Sequence, residues 1–255
     1  MVNLHYVGRF ANCLFIYAFG RIIAEGNGLR LRTPWIGEVS NQFGDVHGEI
    51  IHINPCKDGT NGEDVQQTTL DDNSSVECID DNFHGKNVYV NGYMQNHLYY
   101  DKRKAQIKSW MELPVVESGH ENDIAVHIRL DDYSKTKGCS IISPKWYLDI
   151  LDQPENRGKQ VYVVVDKVKS SWEIDYMNNF GNYKIISDTA KRDFHFLRSF
   201  GTLIISNSSF AWWAAYLGEA KRIFTFERWM IGSPKAQLSR AEGMTPTPGK
   251  YIWEN

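Results

Sequence analysis

The sequence predicts an α/β fold built on parallel sheets, and three observations point to it. Short runs of consecutive apolar residues recur through the second half, spaced so that each gap holds one helix. Within each run the residues are apolar throughout rather than alternating, the pattern of strands covered on both faces. Each run also ends in polar residues, as expected where the carboxyl ends of parallel strands open onto a ligand site.

The elements follow in order. Leu4 to Val7 reads as a strand, followed by the turn Gly8-Arg9-Phe10-Ala11-Asn12 and a helix from Cys13 to Glu25. Ala11, Leu14, Phe15, Ala18 and Ile22 recur there at helical spacing and give the helix a buried face. A second strand is expected at Leu29 to Arg32. From Gly37 to Phe83 the chain is rich in Asp, Asn, Gly and Gln, which suits loops and short strands such as Ile50 to Ile53. Val88 to Met94 reads as a strand and Asp101 to Met111 as a helix closed by Leu113-Pro114, with a hinge between Leu113 and Asn122. Beyond it, strands are expected at Ile124 to His127, Val161 to Val165, Lys184 to Ile186, Thr202 to Ile205 and Arg222 to Phe226. The helices between them are Pro144 to Leu151, Ser171 to Phe180, Arg192 to Phe200 and Ser209 to Leu217. Two domains result, 1–118 and 119–255.

Composition narrows the function. The 255 residues are 42% hydrophobic and 13% aromatic, enough for packed cores. A formal charge of −3, mixed in sign, offers no surface for a polyanion, so nucleic acid is not an expected partner. The four cysteines (Cys13, Cys56, Cys78 and Cys139) are widely spaced and fit no zinc or redox template. Reduced thiols are the default, with a Cys56–Cys78 bridge conceivable. No run approaches the roughly 20 apolar residues that span a bilayer. Asn3, His5 and Arg9 break any signal-peptide layout. A soluble, cytoplasmic protein is expected.

Three segments carry chemistry. In Ile204 to Leu217, an apolar strand meets Ser206-Asn207-Ser208-Ser209 and then a helix that opens with Trp212 and Trp213 close by. A helix start presents unpaired N–H groups and the positive end of the dipole, a ready site for phosphate. The bland reading is a plain N-cap. His127-Ile128-Arg129-Leu130-Asp131-Asp132-Tyr133 begins at a strand's carboxyl end, where a guanidinium can grip a diphosphate bidentately. Its bland reading pairs Arg129 with Asp132 on the surface. Gly8 to Asn12 lies at a strand-to-helix turn where glycine admits close approach to the backbone; there Asn12 can serve simply as an N-cap. Trp212 and Trp213 read as core packing rather than a sugar platform. Asp80-Asp81 and Asp131-Asp132 lack the D-x-D spacing of metal-dependent transferases, and the chain has no G-x-G-x-x-G turn for a redox dinucleotide.

Together these segments resemble the α-1,2-fucosyltransferase family, which transfers L-fucose from GDP-fucose. The family opens with G-R/G-L-G-N-Q-[ML]-F-Q-Y-A, and Gly8 to Ala18 reads G-R-F-A-N-C-L-F-I-Y-A. Its G-Y-F-Q is matched by Gly92-Tyr93-Met94-Gln95 ahead of Tyr99-Tyr100, and its H-V-R-R-G-D-Y by H-I-R-L-D-D-Y. Its N-S-S-F-S-W-W-A-A-W-L is matched by N-S-S-F-A-W-W-A-A-Y-L from Asn207 to Leu217, and the resemblance runs from Gly8 to Trp229. It implies a GT-B-like architecture, two Rossmann-like domains facing across a cleft, with an N-terminal acceptor side and a C-terminal nucleotide-sugar side. It implies no metal and no cofactor beyond the donor, probed as GDP-fucose.

On matching positions the resemblance implies that Arg129 holds the diphosphate, with Asn207, Ser208 and Ser209 at the helix terminus. Gly8, Arg9 and His127 would line the donor, Asn12 would stand near the acceptor hydroxyl, and Asp188 or Asp193 would meet the guanine edge. A base is required beside the acceptor; His5, Asp132 and Asp166 are the candidates, with Asp132 placed among the catalytic residues alongside Arg129 and Asn12. A glycan is the expected acceptor, and a lipid-linked one would bring the protein to a membrane surface. The family's second arginine is Leu130, its glycine is Asp131, and its glutamine is Cys13. Either the donor is a different nucleotide sugar, or the site is rebuilt around the same one, or the fold is kept as a non-catalytic glycan- or nucleotide-binding module.

Overall fold

The computed structural model describes residues 1–33, 51–53, 56–57, 59–61, 66–116, 119–135 and 139–226. They fall into two compact units, Met1–Leu113 and Pro114–Asn255. Most of the loop-rich stretch expected from Gly37 to Phe83 up to residue 65, and the end of the resemblance at Trp229, lie outside the described residues.

The first unit contains β1 (Val2–Leu4), α1 (Phe10–Asn27), β2 (Leu31–Arg32), β3 (His52–Ile53), β4 (Gln67–Leu70), β5 (Asn87–Val90), α2 (Lys104–Ser109) and β6 (Met111–Glu112). Its main sheet runs β2-β1-β5-β4, parallel throughout, and β3 pairs antiparallel with β6. Helix α1 is apolar on nearly every side, and Phe15, Ile16, Phe19 and Ile23 are fully buried. It starts at Phe10 rather than Cys13, because the Arg9 carbonyl accepts the N–H groups of both Asn12 and Cys13, at 2.8 and 3.0 Å. Arg9 is therefore the N-cap and Asn12 the third helical residue, which removes the simple capping role for Asn12. Strand β1 ends at Leu4, earlier than expected, because its neighbour β5 ends at Val90 and the last bond between them is His5 N–H to the Val90 carbonyl. Only Lys104–Ser109 of the expected helix from Asp101 to Met111 is α-helical; Asp101–Arg103 forms a 3-10 turn and Met111 opens β6.

The second unit contains β7 (Ile124–Ile128), α3 (Pro144–Leu151), β8 (Val161–Val165), α4 (Ser171–Asn178), β9 (Lys184–Ile186), α5 (Ala190–Leu197), β10 (Thr202–Ile205), α6 (Ser209–Leu217) and β11 (Arg222–Thr225). Its five strands are all parallel, in the order β11-β10-β7-β8-β9. The chain steps outward from β7 through β8 to β9, then returns to the other side of β7 as β10. Strand order thus reverses between β7 and β10, while in the first unit β1 lies between β2 and β5, with β4 outside β5. This is the expected α/β class, with two parallel sheets.

Alternate residues of β7 and the turn after it, Ile124, Val126, Ile128 and Leu130, point into one apolar cluster with Tyr147, Val163 and Phe180. Trp212 and Trp213 are fully buried, their ring centroids 5.1 Å apart and Trp212 stacked on Tyr216 at 4.9 Å. Burying a large apolar side chain contributes about 1.5–3 kcal/mol, so this pair anchors α6 as core. No disulfide joins Cys56 and Cys78. Cys78 is turned into the core of the first unit, where burial pushes its thiol up to about 11, while Cys56 is only half-buried. Among the described residues, no helix is long and apolar enough to cross a membrane.

Candidate active site

In an open parallel sheet the carboxyl ends of the two strands flanking a reversal leave a crevice between diverging loops. In the second unit that place belongs to β7 and β10, paired so that His127 lies opposite Ile205. The residues that leave these strands are His127 to Arg129 on one side and Ser206 to Ser209 on the other. They are joined directly: His127 Nδ1 lies 2.8 Å from Ser206 Oγ, and the Ser206 N–H donates to the His127 carbonyl at 3.1 Å. Tyr133 adds a second tie, its hydroxyl donating to the Asn207 carbonyl at 2.7 Å. The Asn207 amide in turn donates to the Ser140 carbonyl at 3.2 Å.

Arg129 sits over this junction. Its Nη1 donates to Asp166 Oδ1 at 2.8 Å, and its guanidinium carbon lies 5.7 Å from the Tyr133 ring centroid. Asp166 follows β8, the next strand in the sheet. Arg129 thus has a partly buried partner in Asp166, across two strands of the sheet. For Asp131 and Asp132 only the backbone path is described, on the 3-10 turn Asp131–Ser134 directly after Arg129. His127 is buried, and desolvation, reinforced by the Arg129 charge, pulls its pKa down to about 3. It is neutral at neutral pH, so the fixed positive charge here belongs to Arg129.

Ser208 is the N-cap of α6, and its carbonyl accepts the Trp212 N–H at 2.9 Å. Its hydroxyl makes no capping bond to the helix. The first-turn N–H groups of Ser209, Phe210 and Ala211 precede that first intrahelical bond and point outward along the helix axis. A guanidinium and a helix amino terminus thus lie at adjacent strand ends, with Asn207 and Ser208 themselves buried; these are the group types that hold an anion and stabilise one as it forms.

Asp188 lies further along the same edge, after β9. It is exposed, it pairs with Arg192 at 3.1 Å, and its carboxyl is held low by the Thr189 N–H and by Arg192. Asp193 behaves oppositely: partial burial raises it to about 6, with the Asp188 and Asp166 charges adding to the rise.

The first unit carries its own cluster after β1 and β5, neighbours in its sheet. Gly8 follows β1 with φ +77°, and a Cβ there would stand 2.1 Å from Asn12 Nδ2. Asn12 Oδ1 accepts from Gln95 Nε2 at 2.8 Å, and Gln95 lies on the loop after β5. Gly8, Arg9, Asn12 and Gln95 are brought together at one end of this sheet. Cys13, in the family's glutamine position, turns inward, its thiol 3.9 Å from the Val7 carbonyl and raised to about 11 by burial.

A family model described as Glycosyl transferase family 11 matches residues 68–234, well over half of the chain. The chain belongs to glycosyl transferase family 11. Escherichia coli WbnK, an O-antigen biosynthesis glycosyltransferase, is 27% identical over 130 residues. That alignment covers 46% of this chain and 42% of WbnK, so the chain spans less than half the length of that relative. Among solved structures, Arabidopsis thaliana FUT1, as the R284K mutant in complex with GDP, superposes with a TM-score of 0.50 over 89% of this chain and 70% of FUT1. At 11% identity that likeness speaks for the fold.

The matched span of this family 11 chain includes Gly92 to Gln95, the His127 to Tyr133 segment and the Asn207 to Leu217 segment, while Gly8 to Ala18 lies before it. Leu130, a departure from the family's second arginine, is 1% exposed and packs in the core cluster. With Arg129 turned to the crevice, residue 130 faces inward, and leucine suits that position. Sequence reasoning left Tyr133 without a role, although its place four residues after Arg129 was the available signal. It gave Asp166 only a candidate base's role; here Asp166 holds Arg129, a pairing across two strands that no local spacing encodes.

Proposed function

We propose that this chain is an inverting glycosyltransferase that moves L-fucose from GDP-fucose to a hydroxyl of a galactoside or another glycan. The observation that carries the reading is the convergence of Arg129 and the amino terminus of α6 on one strand-order reversal, framed by Asn207, Ser208 and Ser209. Family membership and the GDP recorded in the FUT1 complex support it. The donor's β-linked fucose gives an α-linked product in one displacement. The acceptor oxygen bonds to the anomeric carbon as the bond to the β-phosphate oxygen breaks, and the acceptor proton passes to a base. We assign that proton to Asp132, on the turn that follows Arg129.

Negative charge builds on the departing diphosphate, where Arg129 and the helix terminus are already oriented and need no rearrangement as the bond breaks. His127, buried against Ser206, backs the donor's surroundings. Asp193, half-buried and next to the Asp188 loop, takes the guanine edge in preference to the exposed, Arg192-paired Asp188. The amino-terminal unit receives the acceptor around Asn12.

The test is GDP release from GDP-fucose with and without a β-galactoside. Acceptor-dependent release, lost in Arg129→Ala and retained in EDTA, is the expected outcome. GDP binding without release would make the protein a binding module instead, and dependence on a divalent cation would remove Arg129 from the leading electrostatic role.

A further inference from the structure

We propose that Gln95 is a positioning residue: it locks the Asn12 side-chain amide so that Nδ2 faces a ring hydroxyl of the sugar acceptor. This rests on the transferase reading above, and it assigns Gln95 a role that the motif resemblance left open.

The argument begins with an amide's ambiguity. An asparagine side chain offers a carbonyl on one side and an NH2 on the other, and only its hydrogen bonds decide which way round it sits. In this structure Gln95 Nε2 donates to Asn12 Oδ1 at 2.8 Å. The carbonyl end is thus engaged, and the Nδ2 hydrogens are what Asn12 has left to present. Gly8 leaves room for that end. Its positive φ and missing Cβ let Nδ2 lie against its backbone, with no room for a side chain at residue 8.

Gln95 is itself held more firmly than packing alone requires. It is buried, and it follows Met94, the one non-glycine residue with positive φ among the described residues, at +52°. A buried, long side chain in that region is strained, and such strain persists only where neighbours over-determine it. Here Asp72 does so with both carboxylate oxygens: Oδ1 accepts the Met94 N–H at 2.8 Å and Oδ2 the Tyr93 N–H at 3.1 Å. The Tyr100 hydroxyl donates to the Met94 carbonyl at 2.6 Å. Three polar contacts thus hold one backbone kink, and the next side chain along is the one that reaches Asn12. The groups directly involved, Gly8, Asn12 and Gln95, are uncharged. With Arg9 as their charged neighbour, these amides supply directional hydrogen bonds of the kind a sugar hydroxyl takes.

Two variants test this in the full chain. Gln95→Met keeps length and apolar volume but removes the donor, freeing Asn12 to rotate. Gln95→Glu replaces the donor with an acceptor, so that Asn12 must turn its Nδ2 inward and present Oδ1 instead. Steady-state transfer from GDP-fucose to a methyl β-galactoside is measured with thermal midpoints and acceptor-free GDP-fucose hydrolysis. Both variants are expected to raise the acceptor KM by roughly tenfold, the scale of one well-made hydrogen bond. Donor KM and acceptor-free hydrolysis should stay unchanged. Adding Gln95→Met to Asn12→Ala should cost nothing further in acceptor KM, because Gln95 acts only through that amide. An unchanged acceptor KM in an actively transferring protein, additive losses in the double variant, or donor and acceptor KM rising together with a fallen midpoint would each overturn the Gln95 assignment alone. Absence of acceptor-dependent GDP release in the unmodified protein would instead overturn the transferase reading, and this assignment with it.

Discussion

Arg129 and His127 show how two residues at and just past a strand end divide the electrostatics of a site. His127 turns toward Ser206 and is kept neutral by burial, whereas Arg129 is always charged and pairs, partly buried, with Asp166. Removing a guanidinium that makes charge-assisted contacts loses about 1.5–3 kcal/mol, so Arg129→Ala should weaken GDP binding by roughly 10- to 150-fold in titration calorimetry. His127 leaves a separate mark on stability. Its pKa falls from 6.5 in the unfolded chain to about 3 in the folded one. Between those values the unfolded chain binds a proton that the folded protein refuses, so this contribution is complete above about pH 6.5 and is lost as the pH falls toward 3. Asp193, raised to about 6, works in the opposite direction but is common to wild type and variant. The urea midpoint of wild type should therefore drop more steeply between pH 7 and pH 4 than that of His127→Asn; parallel curves would contradict the burial of a neutral imidazole.

At the scale of elements, α6 serves two purposes with different faces. Its body is core, since every residue from Ala211 to Leu217 is buried. Its amino terminus is where we propose the donor's diphosphate binds. An N-cap serine that bonds its own helix is worth about 1 kcal/mol. The Ser208 hydroxyl makes no such bond. Ser208→Ala should accordingly cost only a few tenths of a kcal/mol in denaturation, well short of an ordinary cap loss, while still weakening GDP binding. A full capping penalty would show that the hydroxyl serves the helix rather than a ligand. The same logic separates Thr189 at the start of α5, whose hydroxyl accepts the Arg192 N–H and is occupied with capping.

At the scale of the whole molecule, each unit has a parallel sheet with polar segments at the carboxyl ends of two neighbouring strands, β1 and β5 in one and β7 and β10 in the other. The two clusters differ in charge. The one in Pro114–Asn255 combines Arg129 with a helix terminus, and the one in Met1–Leu113 has a neutral amide pair beside Arg9. A ligand that binds only the folded state stabilises it by about 2.7 kcal/mol at a concentration of 100 times its Kd. In a thermal-shift panel of GDP, UDP, CDP and dTDP, GDP should raise the melting temperature most, and the rise should vanish in Arg129→Ala. A larger rise with another nucleotide would transfer the donor assignment to that base.

Local pattern was enough to identify much of this. Apolar runs and their spacing defined β8, β9, β10, α3 and α6 with the bounds the structure has, because burial on both faces and helix periodicity are written residue by residue. Ends that depend on a neighbour were harder: β1 stops where β5 stops, and α1 begins where the Arg9 carbonyl finds two donors. The motifs named Arg129, Asn12 and the Ser208 terminus, but not their partners. By itself, the sequence determined the α/β class, the core role of Trp212 and Trp213, and which segments carry polar chemistry. Only the tertiary structure decided that Asp166 holds Arg129, that Gln95 holds Asn12 and that Leu130 faces the core. Those facts depend on which strands lie side by side, and strand order is set by the packing of elements far apart in the chain.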